Sequence, residues 1–260
     1  ADPLLAGRHV LVADDEPKIR NIIREGLRNK GCRVAVCGDG TQAPCDEWKN
    51  PSRTLLGNTQ EQWLLDGLST SARWQVLAQQ IMMAPYDAAP GPDMRTSMDQ
   101  WGGYPAARDR LLGEIAKRAP NRTVVLTGDI HTNWVNELHS DFSRPDRPTV
   151  AAEFVATSIS SGGDGADVPP ARLSTMQGDN PHLKWFQNRR GYVRCRVDAN
   201  TWTADYRSVP FVEKPGADIT TASSWRVEHG KAGIVKAGGF KNPTAPPPAA
   251  PCPRNCVSAS

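Results

Sequence analysis

The apolar positions near the start of the chain change period twice, and this predicts a short β-α-β unit. Residues 8–13 are an apolar run typical of a strand, apolar residues within 19–27 recur at helical spacing, and residues 32–36 predict a second strand. Residues 37–53 are polar and contain prolines, which predicts a loop.

Three further segments in the first half have helix or strand patterns. The segment Thr59–Gln62 matches a capping box, so it predicts the start of a helix with Trp63 and Leu68 on one apolar face. Residues 74–80 favour a buried strand. Pro105 suits the first position of a helix, and apolar residues follow it at helical spacing.

The second half is predicted to be mainly β. Residues 123–127 form an apolar strand that runs directly into Gly128-Asp129-Ile130-His131. Residues 150–159 predict a strand followed by a glycine-rich loop, and residues 191–209 alternate about a central turn, as a β-hairpin does. Residues 238–260 are rich in proline, alanine and glycine, which predicts a disordered tail.

Composition is that of an ordinary globular protein. The 260 residues are 38% hydrophobic and 23% charged, and this length can bury a sizeable core. A net charge of +3, without a basic run, predicts no nucleic-acid partner. No apolar stretch approaches the roughly 18 residues that a membrane span needs, and no signal-peptide pattern lies in the chain.

The six cysteines include no CxxC pair, which argues against a redox or zinc motif of that kind. Cys37 with Cys45, and Cys252 with Cys256, are close enough in sequence to close small disulfide loops in an oxidising compartment. Scattered free thiols are the alternative interpretation.

The segment Gly128–His131 carries the clearest chemical signal. A strand ends there, glycine permits a sharp turn, and side chains two residues apart emerge on the same side. A carboxylate and an imidazole so placed can bind a cation or orient a phosphate, and two-metal hydrolases hold their cations roughly 3.5–4 Å apart. Taken alone, an Asp-x-His at a strand end is more often a cap or a core pair than a ligand pair, so the surrounding sequence decides how Asp129 and His131 are interpreted.

Residues 52–228 contain several blocks that match one family in the same order. They include SRTLLG with QEQWL, WQVLAQQ, MDQWGGY, VVLTGDIH, and NPHLK with RGYV. These blocks resemble the C-terminal portion of the PhoD-type alkaline phosphatases, which are metallophosphoesterases. An ordered series of blocks is far more specific than any one of them.

This resemblance implies an α/β fold, here a partial metallophosphatase-like αββα sandwich of two sheets flanked by helices, with the short β-α-β segment at its N-terminus. It implies hydrolysis of phosphate monoesters and diesters at alkaline pH, with iron and calcium at the active site. It also implies a secreted or periplasmic location.

The resemblance assigns roles to individual residues as well. Asp129 and His131 match the family's metal-binding strand end and would be catalytic metal ligands. Asn133 and His182 would line the substrate pocket. Arg108 lies in a matching block, where a packing or surface role is expected.

The family pattern breaks in the first part of the chain. The upstream family ligands, an early Asp and Cys, a Gly-Asp-Tyr strand end and an Asp-Asp-His-Glu segment, do not occur. Residues 8–36 instead resemble the opening of a response-regulator receiver domain, with Asp14-Asp15 at its magnesium position, although the later phosphoryl-accepting Asp is missing. We therefore divide the chain into a receiver-like fragment at 1–36, a PhoD-like portion at 37–237 and a tail at 238–260.

Three functional hypotheses follow. The chain is an enzyme whose missing ligands are replaced from its N-terminal part, a non-catalytic chimeric remnant, or a receiver-like signalling module. A partial sandwich also predicts an exposed sheet edge that favours aggregation or a partner. The side chains considered as replacement ligands are Asp14, Asp15, Asp39 and Cys37.

Overall fold

The structure is a computed structural model that describes residues 44, 46–68, 71–89, 91–144, 146–159 and 161–238, together with the backbone of three short strands further upstream. The strands, in chain order, are β1 (His9–Ala13), β2 (Arg33–Cys37), β3 (Thr41–Gln42), β4 (Gln75–Ala78), β5 (Thr96–Ser97), β6 (Thr123–Thr127), β7 (Asn133–His139), β8 (Thr149–Val155), β9 (Gly165–Ala166), β10 (Leu183–Val197), β11 (Thr201–Val209), β12 (Thr220–Glu228) and β13 (Val235–Lys236). The helices are α1 (Asn58–Gly67), α2 (Pro105–Arg118) and α3 (Pro170–Asp179), with 3-10 turns at Asp46–Lys49 and Trp101–Gly103.

The two N-terminal strands pair with each other in parallel. The register runs from His9 opposite Arg33 to Ala13 opposite Cys37. Parallel pairing of consecutive strands requires a crossover between them, so the strand part of the predicted β-α-β unit is confirmed. The predicted helix at 19–27 lies outside the described residues.

A nine-stranded mixed sheet forms the body of the protein, and it confirms the α/β class. Its strands follow the order β13-β12-β11-β10-β7-β8-β6-β4, and β9 pairs with β10. Strands β4, β6 and β8 run parallel, whereas the pairs from β8 to β13 are antiparallel. Helix α2 covers one face of the parallel part, with Leu111, Leu112 and Ile115 packed in one core with Val125 and Ala151.

The long strand β10 connects the two halves of this sheet. Its first part pairs with β7 and its last part with β11, and the hairpin predicted at 191–209 is confirmed. Strand β11 packs against the face of β6 and β8 that α2 does not cover, because Trp202 and Tyr206 of β11 share a core with Val124 and Phe154. The Tyr206 hydroxyl donates a hydrogen bond to the Trp134 carbonyl at 2.5 Å. These contacts make the two-layered core of a sandwich.

Helix α1 exists where it was predicted, but two details of that prediction were wrong. The helix begins at Asn58 after an N-cap at Gly57, which makes no side-chain cap bond. The Thr54 side chain makes the hydrogen bonds at this helix end instead. Its hydroxyl accepts a hydrogen bond from Gly57 N at 3.0 Å and donates one to Glu61 Oε2 at 3.2 Å. Trp63 is 72% exposed rather than packed.

Strand β4 is an edge strand, so the prediction of a buried strand at 74–80 was wrong. Among the described strands, β4 pairs only with β6, and Val76 is 44% exposed. Apolar composition alone does not distinguish a central strand from an edge strand. Within the described residues β4 leaves one edge of the sheet unpaired, and the expectation that such an edge favours aggregation or a partner stays a prediction.

Several elements lay outside the sequence predictions. Strand β7, helix α3 and the first part of β10 were not predicted, and the predicted loop at 37–53 contains β3 and a 3-10 turn. Within the described residues no helix is both long and apolar enough to cross a membrane. The residues of the predicted tail from 239 onward, and every cysteine side chain except that of Cys195, which is free, lie outside the description.

Candidate active site

The turn after β6 presents the two predicted metal ligands to solvent. Asp129 and His131 are both exposed, and both have left-handed backbone conformations, with φ of 65° and 55°. Such conformations cost of order 1–3 kcal/mol in a residue other than glycine and cluster at functional sites. Gly128 does not share this geometry, so the glycine expected to make the sharp turn is not the residue that makes it.

Hydrogen bonds from three separate elements hold this turn. Gly128 N donates to Gln80 O at 3.1 Å, which ties the end of β6 to the segment after β4. The His131 carbonyl accepts from Thr157 Oγ1 and from Arg190 Nη1, each at 2.8 Å. The charge-assisted bond from a buried guanidinium is the stronger kind, and it fixes the turn in its strained conformation.

Thr157 and Arg190 are positioning residues that sequence reasoning missed. Arg190 is only 7% exposed and also donates to the carbonyls of Ser161 and Gly162, at 2.6 and 2.8 Å. It lies in a family-matching block, yet its target is a carbonyl 59 residues away in sequence. A contact of that range leaves no local pattern for a single sequence to show.

Asn133 lies behind the turn, buried at 1% exposure. Its side-chain oxygen accepts from Thr157 N at 3.0 Å, and its amide nitrogen donates to Gln187 Oε1 and the Arg189 carbonyl at 3.3 and 3.4 Å. Protein groups therefore occupy both ends of its amide. The observed role is support for the turn, and contact with a substrate stays a prediction.

His182 lies in a different part of the molecule. It lines a cavity of about 680 Å³ whose wall includes neither Asp129 nor His131. Its Nε2 donates to the Pro85 carbonyl at 2.7 Å, and its ring packs edge-on against Phe142. Burial lowers the pKa of His182 to about 4, against the opposing effect of the Pro85 hydrogen bond, so the ring is neutral at physiological pH. Within the described residues, the structure does not bring His182 into one pocket with the Asp129–His131 pair.

A buried carboxyl group supports the end of β6 from behind. Glu153 on β8 is fully buried and accepts a hydrogen bond from Thr127 Oγ1 at 2.9 Å, one residue before the Gly128–His131 turn. Gln79 Nε2 donates to the same hydroxyl at 2.7 Å. Thr127 thus links the strand that carries the candidate ligands to both neighbouring strands.

The Asp129–His131 pair fits part of a metal site rather than a whole one. A carboxylate and an imidazole suit a divalent or trivalent cation. In the part of the chain that the structure describes, no group of three or more His, Cys, Asp or Glu side chains is placed to hold a metal. The side chains considered as replacements lie outside that part: those of Asp14, Asp15, Asp39 and Cys37.

Comparison with known proteins identifies the family. The family model described as PhoD-like phosphatase matches residues 19–206. Alkaline phosphatase D of Bacillus subtilis (strain 168) is 47% identical over 199 residues, which is 76% of this chain but 34% of that protein. A solved structure titled "Structure of PhoD" superposes with a TM-score of 0.73 at 46% identity, and the match covers 78% of this chain and 39% of that one. The chain therefore spans well under half the length of these relatives, and it belongs to the PhoD-like phosphatase family.

Proposed function

We propose that this chain carries part of the active site of a metal-dependent phosphoesterase that hydrolyses phosphate monoesters and diesters. One observation carries the proposal: a carboxylate and an imidazole, two residues apart, are both exposed on a strained, tightly held turn at the end of β6. The family relationship supplies the reaction class. Iron and calcium as the metals, and a secreted or periplasmic location, are part of the proposal and rest on the family resemblance.

In this proposal Asp129 and His131 hold the metal through a carboxylate oxygen and a ring nitrogen. A bound cation would polarise the phosphoryl group and lower the pKa of a water molecule. The protein's own contribution is rigidity, since Thr157 and Arg190 fix the His131 carbonyl. Catalytic geometry tolerates only small misplacement, so the turn has to be held this firmly.

Hydrolysis of chromogenic phosphate monoesters and diesters at alkaline pH, with iron and calcium added, tests the proposal. We expect metal-dependent turnover that Asp129→Ala and His131→Ala abolish and Asp66→Ala leaves unchanged, since Asp66 lies on the exposed face of α1. Calorimetric titration of the same variants with calcium reports metal binding apart from turnover. A folded wild-type chain that neither binds metal nor turns over substrate would overturn the proposal.

The second candidate function is a non-catalytic remnant of the family. It is favoured by the lack of a third metal ligand among the described residues. Metal binding that depends on Asp129, without hydrolysis, is the result it predicts. The receiver-like hypothesis remains a prediction that neither the fold nor the comparisons address, and incubation with acetyl phosphate followed by mass spectrometry tests it.

A further inference from the structure

The residue between the two candidate ligands is packed inward while its neighbours face solvent. Asp129 and His131 are exposed, whereas Ile130 is half-buried and packs against an apolar cluster. That cluster combines β7, β8, β10 and α3 with the segment after β4, and its buried members are Met82, Trp134, Val155, Met176 and Leu183. The turn therefore has an apolar anchor between its two polar side chains.

The backbone of Ile130 closes the turn. Its N–H donates to the Gly128 carbonyl at 2.8 Å, and its carbonyl accepts from Thr132 Oγ1 at 3.4 Å. The residues on either side, Asp129 and His131, have left-handed backbones. Such conformations persist in residues other than glycine only where the surroundings impose them. The contacts of Ile130 are thus among those that keep both candidate ligands in place.

Trp134 holds the same turn through Thr132. Its indole Nε1 donates to Thr132 Oγ1 at 2.6 Å, and the residue is only 4% exposed. Edge-on contacts with the rings of Tyr86 and Phe186, at centroid distances of 4.9 and 4.4 Å, fix the indole. An indole N–H can only donate, so the Thr132 hydroxyl accepts from Trp134 and keeps its own proton for the Ile130 carbonyl.

These contacts lie between the two hydrogen-bonded ends of the turn. At one end the Gly128 amide binds Gln80, and at the other the His131 carbonyl binds Thr157 and Arg190. Ile130 is the residue between them. Its packing therefore sets how the Asp129 carboxylate and the His131 imidazole lie relative to each other.

We propose that Ile130 and Trp134 are positioning residues for the metal ligands Asp129 and His131. The packing of Ile130, and the hydrogen bonds that run from Trp134 through Thr132 to the Ile130 carbonyl, fix the ligand pair before a cation arrives. A preformed pair loses less conformational entropy on binding than a flexible one. The role in metal binding rests on the proposed function, whereas the effect on the turn belongs to the metal-free chain.

Amide hydrogen exchange of the whole chain in chelator, followed by NMR, tests the effect on the turn. Ile130→Ala and Trp134→Phe should each lower the protection factors of the amides of residues 128 and 130 about tenfold or more, because each removes an anchor and eases local opening. Trp134→Phe keeps an aromatic ring and removes the indole donor, so it serves if Ile130→Ala unfolds.

Met176→Ala is the matched control for this measurement. It removes a buried side chain from the same cluster, but Met176 lies on α3 rather than on the turn. We expect it to lower Tm and to leave the protection factors of the turn unchanged. Unchanged protection in a folded Ile130→Ala or Trp134→Phe chain, or an equal fall in Met176→Ala, would overturn the proposal.

Calorimetric titration with calcium tests the consequence for the ligands. Ile130→Ala should weaken calcium binding about tenfold or more, as loss of a supporting residue does at metal sites. Ile130→Val, which keeps the branched Cβ and most of the volume, should restore the affinity to within about threefold of wild type. Equal affinity in wild type and Ile130→Ala would overturn the positioning role. A wild-type chain that binds no calcium would count against the proposed function instead, and hydrogen exchange then decides the anchoring of the turn by itself.

Discussion

Glu153 is the residue whose removal we expect to damage both the core and the candidate site. Its side chain is fully buried on β8 and accepts four hydrogen bonds. Burial raises the pKa of this carboxyl, and the hydrogen bonds oppose that rise. The donors are Met83 N at 2.6 Å, Ala84 N at 3.0 Å, Thr127 Oγ1 at 2.9 Å and Asn136 Nδ2 at 3.0 Å.

The substitution Glu153→Ala removes every one of these acceptors at once. Each buried donor left unpaired costs about 1–3 kcal/mol, so the backbone N–H groups of Met83 and Ala84 alone account for about 2–6 kcal/mol. Water entering the space left by the side chain offsets part of this loss. We therefore expect a loss of about 3–5 kcal/mol in the free energy of unfolding, which lowers Tm by roughly 6–20 °C in a chain of this size.

Urea denaturation and calorimetry measure this effect. Glu114→Ala is the control, because Glu114 forms only surface ion pairs with Lys117 and Arg118 on α2 and its loss should change Tm little. A loss below about 1 kcal/mol for Glu153→Ala would refute the reasoning, since it would mean that the four donors find other partners. A folded Glu153→Ala chain should also bind calcium more weakly, because Thr127 then loses its hydrogen bond to β8 and keeps only the one from Gln79.

The sign of the pH dependence follows from the raised pKa. The folded state keeps the proton of Glu153 at pH values where the unfolded state has released it. Its contribution to stability is therefore fully present below the usual value of 4.5 and is lost as the pH rises through the folded pKa. Relative to Glu153→Gln, which does not titrate, wild-type stability should fall across this window. A rise would contradict the assignment.

Three further substitutions test other parts of the structure. His182 has a pKa near 4 in place of 6.5, so its contribution to stability, about 3 kcal/mol, is present above pH 6.5 and is lost as the pH falls toward 4. The free energies of unfolding of wild type and His182→Asn, measured by urea denaturation, should therefore diverge between these pH values. Parallel curves would contradict this prediction. Gly191→Ala places a Cβ 1.9 Å from the Arg207 carbonyl oxygen at φ 154°. We therefore expect the free energy of unfolding, measured by calorimetry, to fall by about 2 kcal/mol or more. An unchanged Tm would show that β10 and β11 separate easily. Val76→Lys puts a charge on the exposed edge of β4 and should reduce self-association in sedimentation velocity; equal association would place the contact elsewhere.

The sequence by itself determined the elements whose signals are local. The hairpin of β10 and β11 follows from strict alternation about a short turn, and β6 follows from an apolar run that ends at Gly128. Helix α2 follows from Pro105 and the spacing of its apolar residues. The ordered blocks from 52 to 228 also indicated the family, because they depend on residue identity and need no three-dimensional contact.

Only the tertiary structure decided what depends on distant contacts. Trp63 is exposed and β4 is an edge strand because of what packs beside them, which hydrophobicity alone does not encode. The left-handed turn at Asp129–His131 is held by Arg190 from a strand far along the chain. His182, which the family resemblance assigned to the substrate pocket, lines a cavity whose wall includes neither Asp129 nor His131, since the sheet order sets where a loop emerges. A local pattern specifies an element, but the packing of elements specifies a site.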